Sequence, residues 1–345
     1  MHDSDLAEPG AARVDARLVP AALTCWVVTA AGIWWPIGRV IAQACLLLVA
    51  AAGALVWRAA RRRGETGRHR AVSAGLVAVG VTGAGFGFAA ALRAEAVDRH
   101  PITAAFGTAA PVTVTPTESP VSLGRGRLMF RATLQRLRDA QISGRVVVFA
   151  RAPDFASDGD GLMVGRPMRF TARISRPTRR DLTVAVLNAS GRPTLGTAGA
   201  VHRAAHTVRD RFETAVRGAL PVEQAAMLPA LVLGDTSAVP AETDRDFRAA
   251  GMTHLMAVSG ANVTIVCAAV LFTARLIGPR AAVVLAALTL IAFVIVVEPT
   301  ASVLRAAVMG AIGLAGLLSS RRRQAIPALC AAVLVLLALA PQLAV

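Results

Sequence analysis

LVLGDTSAVPAETDRDFRAAGMTHLMAVSGANVTIV, residues 231–266, sets charged and small polar side chains immediately before and inside an apolar run. Polar groups at membrane depth are costly and turn toward a protein interior or a water-filled path, so a helix facing only lipid would not carry them. Asp235, His254, Ser259, Gly260 and Asn262 fall in this stretch. It is therefore the first candidate for a functional site. Just upstream, LPVEQAAMLPALVLGD (residues 220–235) is broken by Pro229 and by the Gly234-Asp235 pair. Its apolar run is too short to span, and a re-entrant or interfacial segment is expected. Residues 241–250 (AETDRDFRAA) read as a charged helical turn or two, ended by Gly251.

The chain around this stretch has 345 residues, of which 55% are hydrophobic, and its mean hydropathy is +0.56. The apolar residues fall in long blocks rather than in helical or strand periodicity, which is the pattern of a polytopic membrane protein. Lysine and tyrosine are absent, so the net charge of +16 comes from arginine. This suggests a GC-rich coding bias, and arginine abundance is then weaker evidence for an acidic partner than usual. The four cysteines, Cys25, Cys45, Cys267 and Cys330, lie inside apolar segments and read as small buried hydrophobes. They have no metal or disulfide spacing.

Candidate spans are residues 18–35, 40–57 and 71–92, then 253–277, 281–297, 301–318 and 326–345. The basic loop carrying Arg58, Arg61, Arg62, Arg63, Arg68 and Arg70 should stay cytoplasmic. Residues 1–17, acidic and mixed, then form a cytoplasmic amino terminus, and residues 18–92 supply three transmembrane helices. Glycine-rich residues 71–92 permit close packing. Residues 93–199 emerge on the extracytoplasmic side. Downstream, Arg275 with Arg280 and Arg321 to Arg323 alternate with the less basic turn at Glu298, so the basic short loops fall on one side.

Within residues 111–191 the pattern changes to period two. Leu128, Phe130, Ala132 and Leu134 alternate with Met129, Arg131, Thr133 and Gln135, and Met168, Phe170, Ala172 and Ile174 with Arg169, Thr171, Arg173 and Ser175. About five strands result, a number that suits a small OB-like β-barrel. The fold class expected is thus a polytopic α-helical membrane protein with an inserted extracytoplasmic OB-like barrel. Residues 111–220 hold 18 Arg against 8 Asp plus Glu, a net of +10. Such an excess attracts a polyphosphate backbone. Candidate contacts are Arg131, Arg169, Arg173, Arg203, Arg209 and Arg217. Phe130, Phe149, Phe155, Phe170 and Phe212 are the aromatic residues on offer for base stacking. A solvated barrel that merely packs on the membrane portion is the competing reading.

Residues 200–220 form an amphipathic helix, with Val201, Ala205, Val208, Phe212, Val216 and Leu220 on one face and Arg203, Arg209, Arg211 and Arg217 on the other. His202 and His206 stand four apart, but without a third ligand or an HExxH glutamate a solvent-facing surface is the better reading. Arg305 lies inside the apolar residues 301–318 and Glu298, across Pro299, is its candidate ion-pair partner.

LVLGD (231–235), FRAAGMTHLMAVSGANV (247–263) and ASVLRAAVMG (301–310) resemble the three signature segments of the competence domain in the ComEC/Rec2 family. The order of spans, barrel, amphipathic helix and later spans is similar too. The resemblance implies an inner-membrane channel component for uptake of transforming DNA as a single strand, with residues 221–345 a competence-type membrane domain of about four spans. On its motif positions it implies path residues Asp235, His254, Ser259, Gly260 and Arg305. Many members carry histidine where this chain has Asn262, which keeps hydrogen bonding but loses titration.

Family members generally continue into further helices, and many end in a metallo-β-lactamase-like domain. Here no HxHxDH run occurs and the six histidines are scattered, so neither hydrolysis, metal nor cofactor is expected and the chain reads as a truncated member. No GxxxxGK[ST] loop occurs either. Partners must then supply strand and energy, namely a DNA receptor and a cytoplasmic ATPase or helicase, besides the bilayer and further copies of the chain. Two other readings stand beside this one. One is a non-conducting membrane protein with a ligand-binding or assembly role. The other is a hydrolase using Ser259 with His254, disfavoured because no GxSxG elbow surrounds the serine.

Overall fold

The computed structural model describes residues 18–34, 40, 44, 47, 51, 58, 67–155, 162–179, 181–236, 239–252, 260–318 and 325–344. The amino terminus, nearly all of the expected span 40–57, and His254 with Ser259 lie outside the described residues.

Helix α1 (Val19–Trp34) packs against α2 (Gly67–Asp98), whose 32 residues extend beyond the expected span at both ends. The reason for the pairing is a strip of small residues. Gly80, Gly83, Ala84, Gly87 and Ala90 are buried at steps of three and four, and Ala21, Ala22, Cys25 and Gly32 are buried on α1. Backbones lined this way approach closely, which compensates the poor helix propensity of glycine.

A single 3-10 turn (Pro101–Ala105) joins α2 to the β domain. His100 fixes this joint, its Nδ1 accepting from the Ile102 amide at 3.3 Å while its Nε2 lies 3.1 Å from the Ser143 carbonyl. Together the two contacts select the tautomer with hydrogen on Nε2. Six strands follow: β1 (Ala109–Pro116), β2 (Val121–Gly124), β3 (Arg127–Leu137), β4 (Ala140–Arg151), β5 (Met168–Ser175) and β6 (Ala185–Leu195), with a short helix α3 (Ala152–Phe155) before β5.

The pairing runs β1-β5-β6-β4-β3 and closes through β1–β3, while β2 is an extra edge on β3. All ring pairs are antiparallel except β4–β6. A closed five-stranded ring with one parallel pair, third strand to fifth, is the OB connectivity, and closure removes the open sheet edges. Alternation decides its interior. Val112, Val114, Phe130, Ala132, Leu134, Met168, Phe170, Ala172 and Ile174 are all buried. Phe155 plugs the barrel, its ring 5.5 Å from Phe170 edge-on and 6.2 Å from Phe130. Of the five phenylalanines offered above for stacking, three are therefore core, and Phe149 and Phe212 are half-buried.

After the barrel come α4 (Ala200–Ala219), α5 (Val222–Leu233), α6 (Ala241–Ala249), α7 (Gly260–Ala274), α8 (Pro279–Val297), α9 (Ala301–Leu318) and α10 (Ala325–Leu339). Helices α7, α8 and α9 share a core of Val263, Ala286, Leu290 and Ala306. Gly310 faces this core, where a Cβ would stand at ordinary contact distance, 3.6 to 3.8 Å, from Leu290 and Val263. Among the described residues two helices, α8 and α9, are long and apolar enough to cross a membrane, and only 28% and 17% of their apolar windows are buried. Val284, Leu288 and Ile291 on α8 and Met309 and Leu318 on α9 stand exposed, unlike residues of a core helix.

Gly165, at φ +79°, lies directly beneath α4: a Cβ there would sit 2.2 Å from Cδ2 of His202. His202 thus packs on the barrel, although the remainder of its surface is exposed. Gly165→Ala should lower stability by about 1–2 kcal/mol through the left-handed backbone alone, with the ring clash added. In thermal unfolding, His202→Ala in the same chain should recover the clash and leave the backbone part.

Candidate functional site

The LVLGD segment ends α5. Pro229 inside the helix donates no hydrogen bond. Gly234, at φ 74°, turns the chain out, its amide bonding to the Ala230 carbonyl at 3.0 Å and that of Asp235 to Pro229 at 3.3 Å. Other carbonyls of this last turn are met by side chains from elsewhere in the sequence. Asn262 Nδ2, in the first turn of α7, donates to Leu231 O at 2.7 Å. Arg209 Nη2, on α4, donates to Leu233 O at 3.5 Å and to Val297 O at 3.3 Å. Orphan carbonyls at a buried helix end need such partners, so the motif is held by tertiary contacts.

Arg209 is buried, and its Nη1 pairs with Oε1 of Glu298, also buried. The other carboxylate oxygen of Glu298 accepts from Ser119, from the amide at 3.1 Å and from the hydroxyl at 2.8 Å. One carboxylate thereby joins the β1–β2 loop, the amphipathic helix, the end of α5 and the corner between α8 and α9. The glutamate holds φ 74° and ψ 142° just before Pro299. The proline favours the extended ψ, but positive φ is unfavourable for a residue with a Cβ and persists where surroundings over-determine it.

Other ionisable groups border this pair on α4. Burial and the Arg209 charge push His206 below its ordinary value of 6.5. Burial and the nearby Asp235 carboxylate push Glu213 above its ordinary value, against the pull of Arg217. The buried side of α4 thus runs His206, Arg209, Glu213 and meets Glu298 and Asp235. This is an electrostatic clasp with fixed positions. Among the described residues, no cluster of three or more His, Cys, Asp or Glu could hold a metal.

These positions correct two expectations. Glu298 is the partner of Arg209 and not of Arg305, because the Val303 and Ala306 side of α9 is buried while Arg305 is exposed. Arg209 is buried and cannot contact DNA. Among the other barrel and helix arginines, Arg131 is paired with Glu118 at 3.2 Å and Arg217 with Glu213 at 2.6 Å. Arg203 donates to the Ala198 carbonyl. Arg169 and Arg173 project from the exposed face of β5. Gly260 opens α7 against α9, where a Cβ would be 3.6 Å from that of Ala306. Asp235, Gly260 and Asn262 are brought to the α5–α7–α9 junction.

The burial of Arg209 and the role of Ser119 lie outside the expectations drawn from the sequence. A signal existed for the first, since Arg209 falls in register with the buried Ala205 and Val216. Placing it on the polar face followed residue type over period. Ser119 has no local signal, because its role depends on a partner 179 residues away.

Arg209→Met would leave Glu298 buried without its counter-charge, and a loss of about 3–5 kcal/mol is expected, with Arg209→Met/Glu298→Leu recovering most of it in unfolding measurements. Stability should also rise with pH through His206. The fold favours the neutral ring, so its contribution is complete above about 6.5 and is lost as pH falls through the depressed folded value. A pH series on His206→Gln should show that limb flattened.

Residues 231–345 match the family described as Competence protein. No curated protein and no solved structure matches the chain. The match begins at Leu231, whose carbonyl is capped by Asn262, and takes in Asp235, Gly260, Glu298 and Arg305. The last third of this chain is therefore similar to the Competence protein family, which agrees with the resemblance to the ComEC/Rec2 type carried by its motifs.

Proposed function

We propose that the chain is a multi-pass membrane component of a DNA-uptake channel that passes a single strand across the plasma membrane, with its amino terminus cytoplasmic and the barrel outside. The observation that carries this reading is Arg305, an exposed guanidinium on a membrane-length apolar helix of the competence domain. A charge there requires water or a polar partner, and a phosphate in transit supplies one. Outside, Arg169 and Arg173 concentrate the polyanion and bind backbone, not bases, because the barrel aromatics are turned into its core.

In this reading the chain performs no hydrolysis. A DNA receptor delivers the strand, a cytoplasmic ATPase or helicase draws it in, and further copies of the chain complete the path. The Arg209–Glu298 clasp holds the barrel over the competence domain so that strand capture and passage share one axis.

In a transformable host, Arg305→Leu and Asp235→Asn should each reduce internalised labelled DNA by about tenfold or more, the effect of a barrier raised by ~1.4 kcal/mol. Normal uptake with normal membrane levels of the variants would remove the proposed lining. For single-stranded DNA binding by the full chain in nanodiscs, Arg169→Gln/Arg173→Gln should reduce the slope of log affinity against log salt by about 1.4, two contacts at ~0.7 each. An unchanged slope would exclude β5 as the contact face.

A further inference from the structure

A cavity of about 490 Å³ opens on the β3–β4 hairpin, but a second of about 480 Å³ has the more telling walls. It lies where α1 and α2 end against the barrel. Ile33 and Val97 line its helical side, Phe106 and Leu182 its barrel side, and Arg176 and Arg179 its rim. The volume is that of a small-molecule site. Arg176 is held 5.7 Å above the Phe106 ring. Among the described residues neither guanidinium has a carboxylate at ion-pair distance, and both are exposed. Leu182 holds φ 65°, an unfavourable backbone for leucine that shapes the rim.

We infer that this cavity binds the headgroup of a membrane phospholipid, its phosphodiester between Arg176 and Arg179 and its acyl chains along α1 and α2. The proposal rests on the membrane placement of those two helices made above. Three observations favour a lipid over a nucleic acid. The helices that form the wall present Leu23, Val27, Phe88 and Leu92 outward, a surface for acyl chains. Trp34 is 58% exposed at the barrel end of α1, and tryptophan concentrates at the membrane–water interface. Phe106, the one aromatic wall, lies under Arg176 and is closed to a stacking base. Asp98 also lines the cavity. A carboxylate beside two guanidinium groups suits a headgroup with a donor next to its phosphate, such as the hydroxyls of phosphatidylglycerol or the ammonium of phosphatidylethanolamine. The methylated ammonium of phosphatidylcholine offers no such donor.

The full chain in neutral detergent, titrated with short-chain lipids and followed by native mass spectrometry, should bind phosphatidylglycerol and phosphatidylethanolamine more tightly than phosphatidylcholine. Arg176→Gln/Arg179→Gln should weaken phosphatidylglycerol about 30-fold, the contribution of two arginines at a lipid surface. Arg125→Gln/Arg192→Gln, on exposed positions elsewhere on the barrel, should leave it unchanged. Equal affinities for the three lipids, or no effect of the Arg176/Arg179 pair, would overturn the assignment. So would competition by inorganic phosphate or oligothymidine with the same arginine dependence, which would make the cavity a general phosphate or nucleic-acid site. Flotation with phosphatidylcholine vesicles separates the two layers of the argument. A chain that floats without headgroup selectivity refutes only the cavity proposal, and one that does not float refutes the membrane placement as well.

Discussion

A guanidinium and a carboxylate meet out of water where four parts of this chain converge. Arg209 comes from the amphipathic helix, Glu298 from the corner between two apolar helices, Ser119 from the barrel and the Leu233 carbonyl from the end of the motif helix. Removing two charges from solvent is costly, and hydrophobic side chains of equal size could pack there at no loss. What the pair adds is geometry. Arg209 bonds one oxygen of the carboxylate and two backbone carbonyls while Ser119 holds the other oxygen, so one orientation is accepted where an apolar contact tolerates sliding, and that orientation ties the barrel to the helical part. The positive φ of Glu298 is part of the same constraint.

The two halves of the molecule are built by different rules. The barrel is held by a closed ladder and a core of alternating side chains with Phe155 as its plug, so its fold is self-consistent at every strand. The helical part touches through small residues between α1 and α2 and through a mixed core of Val263, Val283, Ala286, Leu290 and Ala306 between α7, α8 and α9, and it carries large aliphatics outside as well.

The barrel and two of the seven expected spans were legible in the sequence because their periods are local. Period two along Met168 to Ile174 fixes which side chains enter the barrel, and the apolar runs of α8 and α9 fix two membrane-length helices. Residue type and order single out Asp235, Gly260 and Asn262 as motif positions. Their geometry was not legible. Asn262 was read as a possible path group, and in the structure it caps a carbonyl of the motif helix.

Charge pairing was the least legible layer. Arg305 with Glu298 looks reasonable on seven residues of separation, but helix direction sends Arg305 to the exposed side of α9 and leaves Glu298 facing α4. The alternation of the strands, the apolar runs and the order of the polar motif residues are written in the chain, since each depends on neighbours a few positions away. The burial of Arg209, the reach of Ser119 to Glu298 and the filling of the barrel by Phe130, Phe155 and Phe170 come from folding alone. Those outcomes depend on which distant surfaces are brought together, and a linear pattern carries no distance between them.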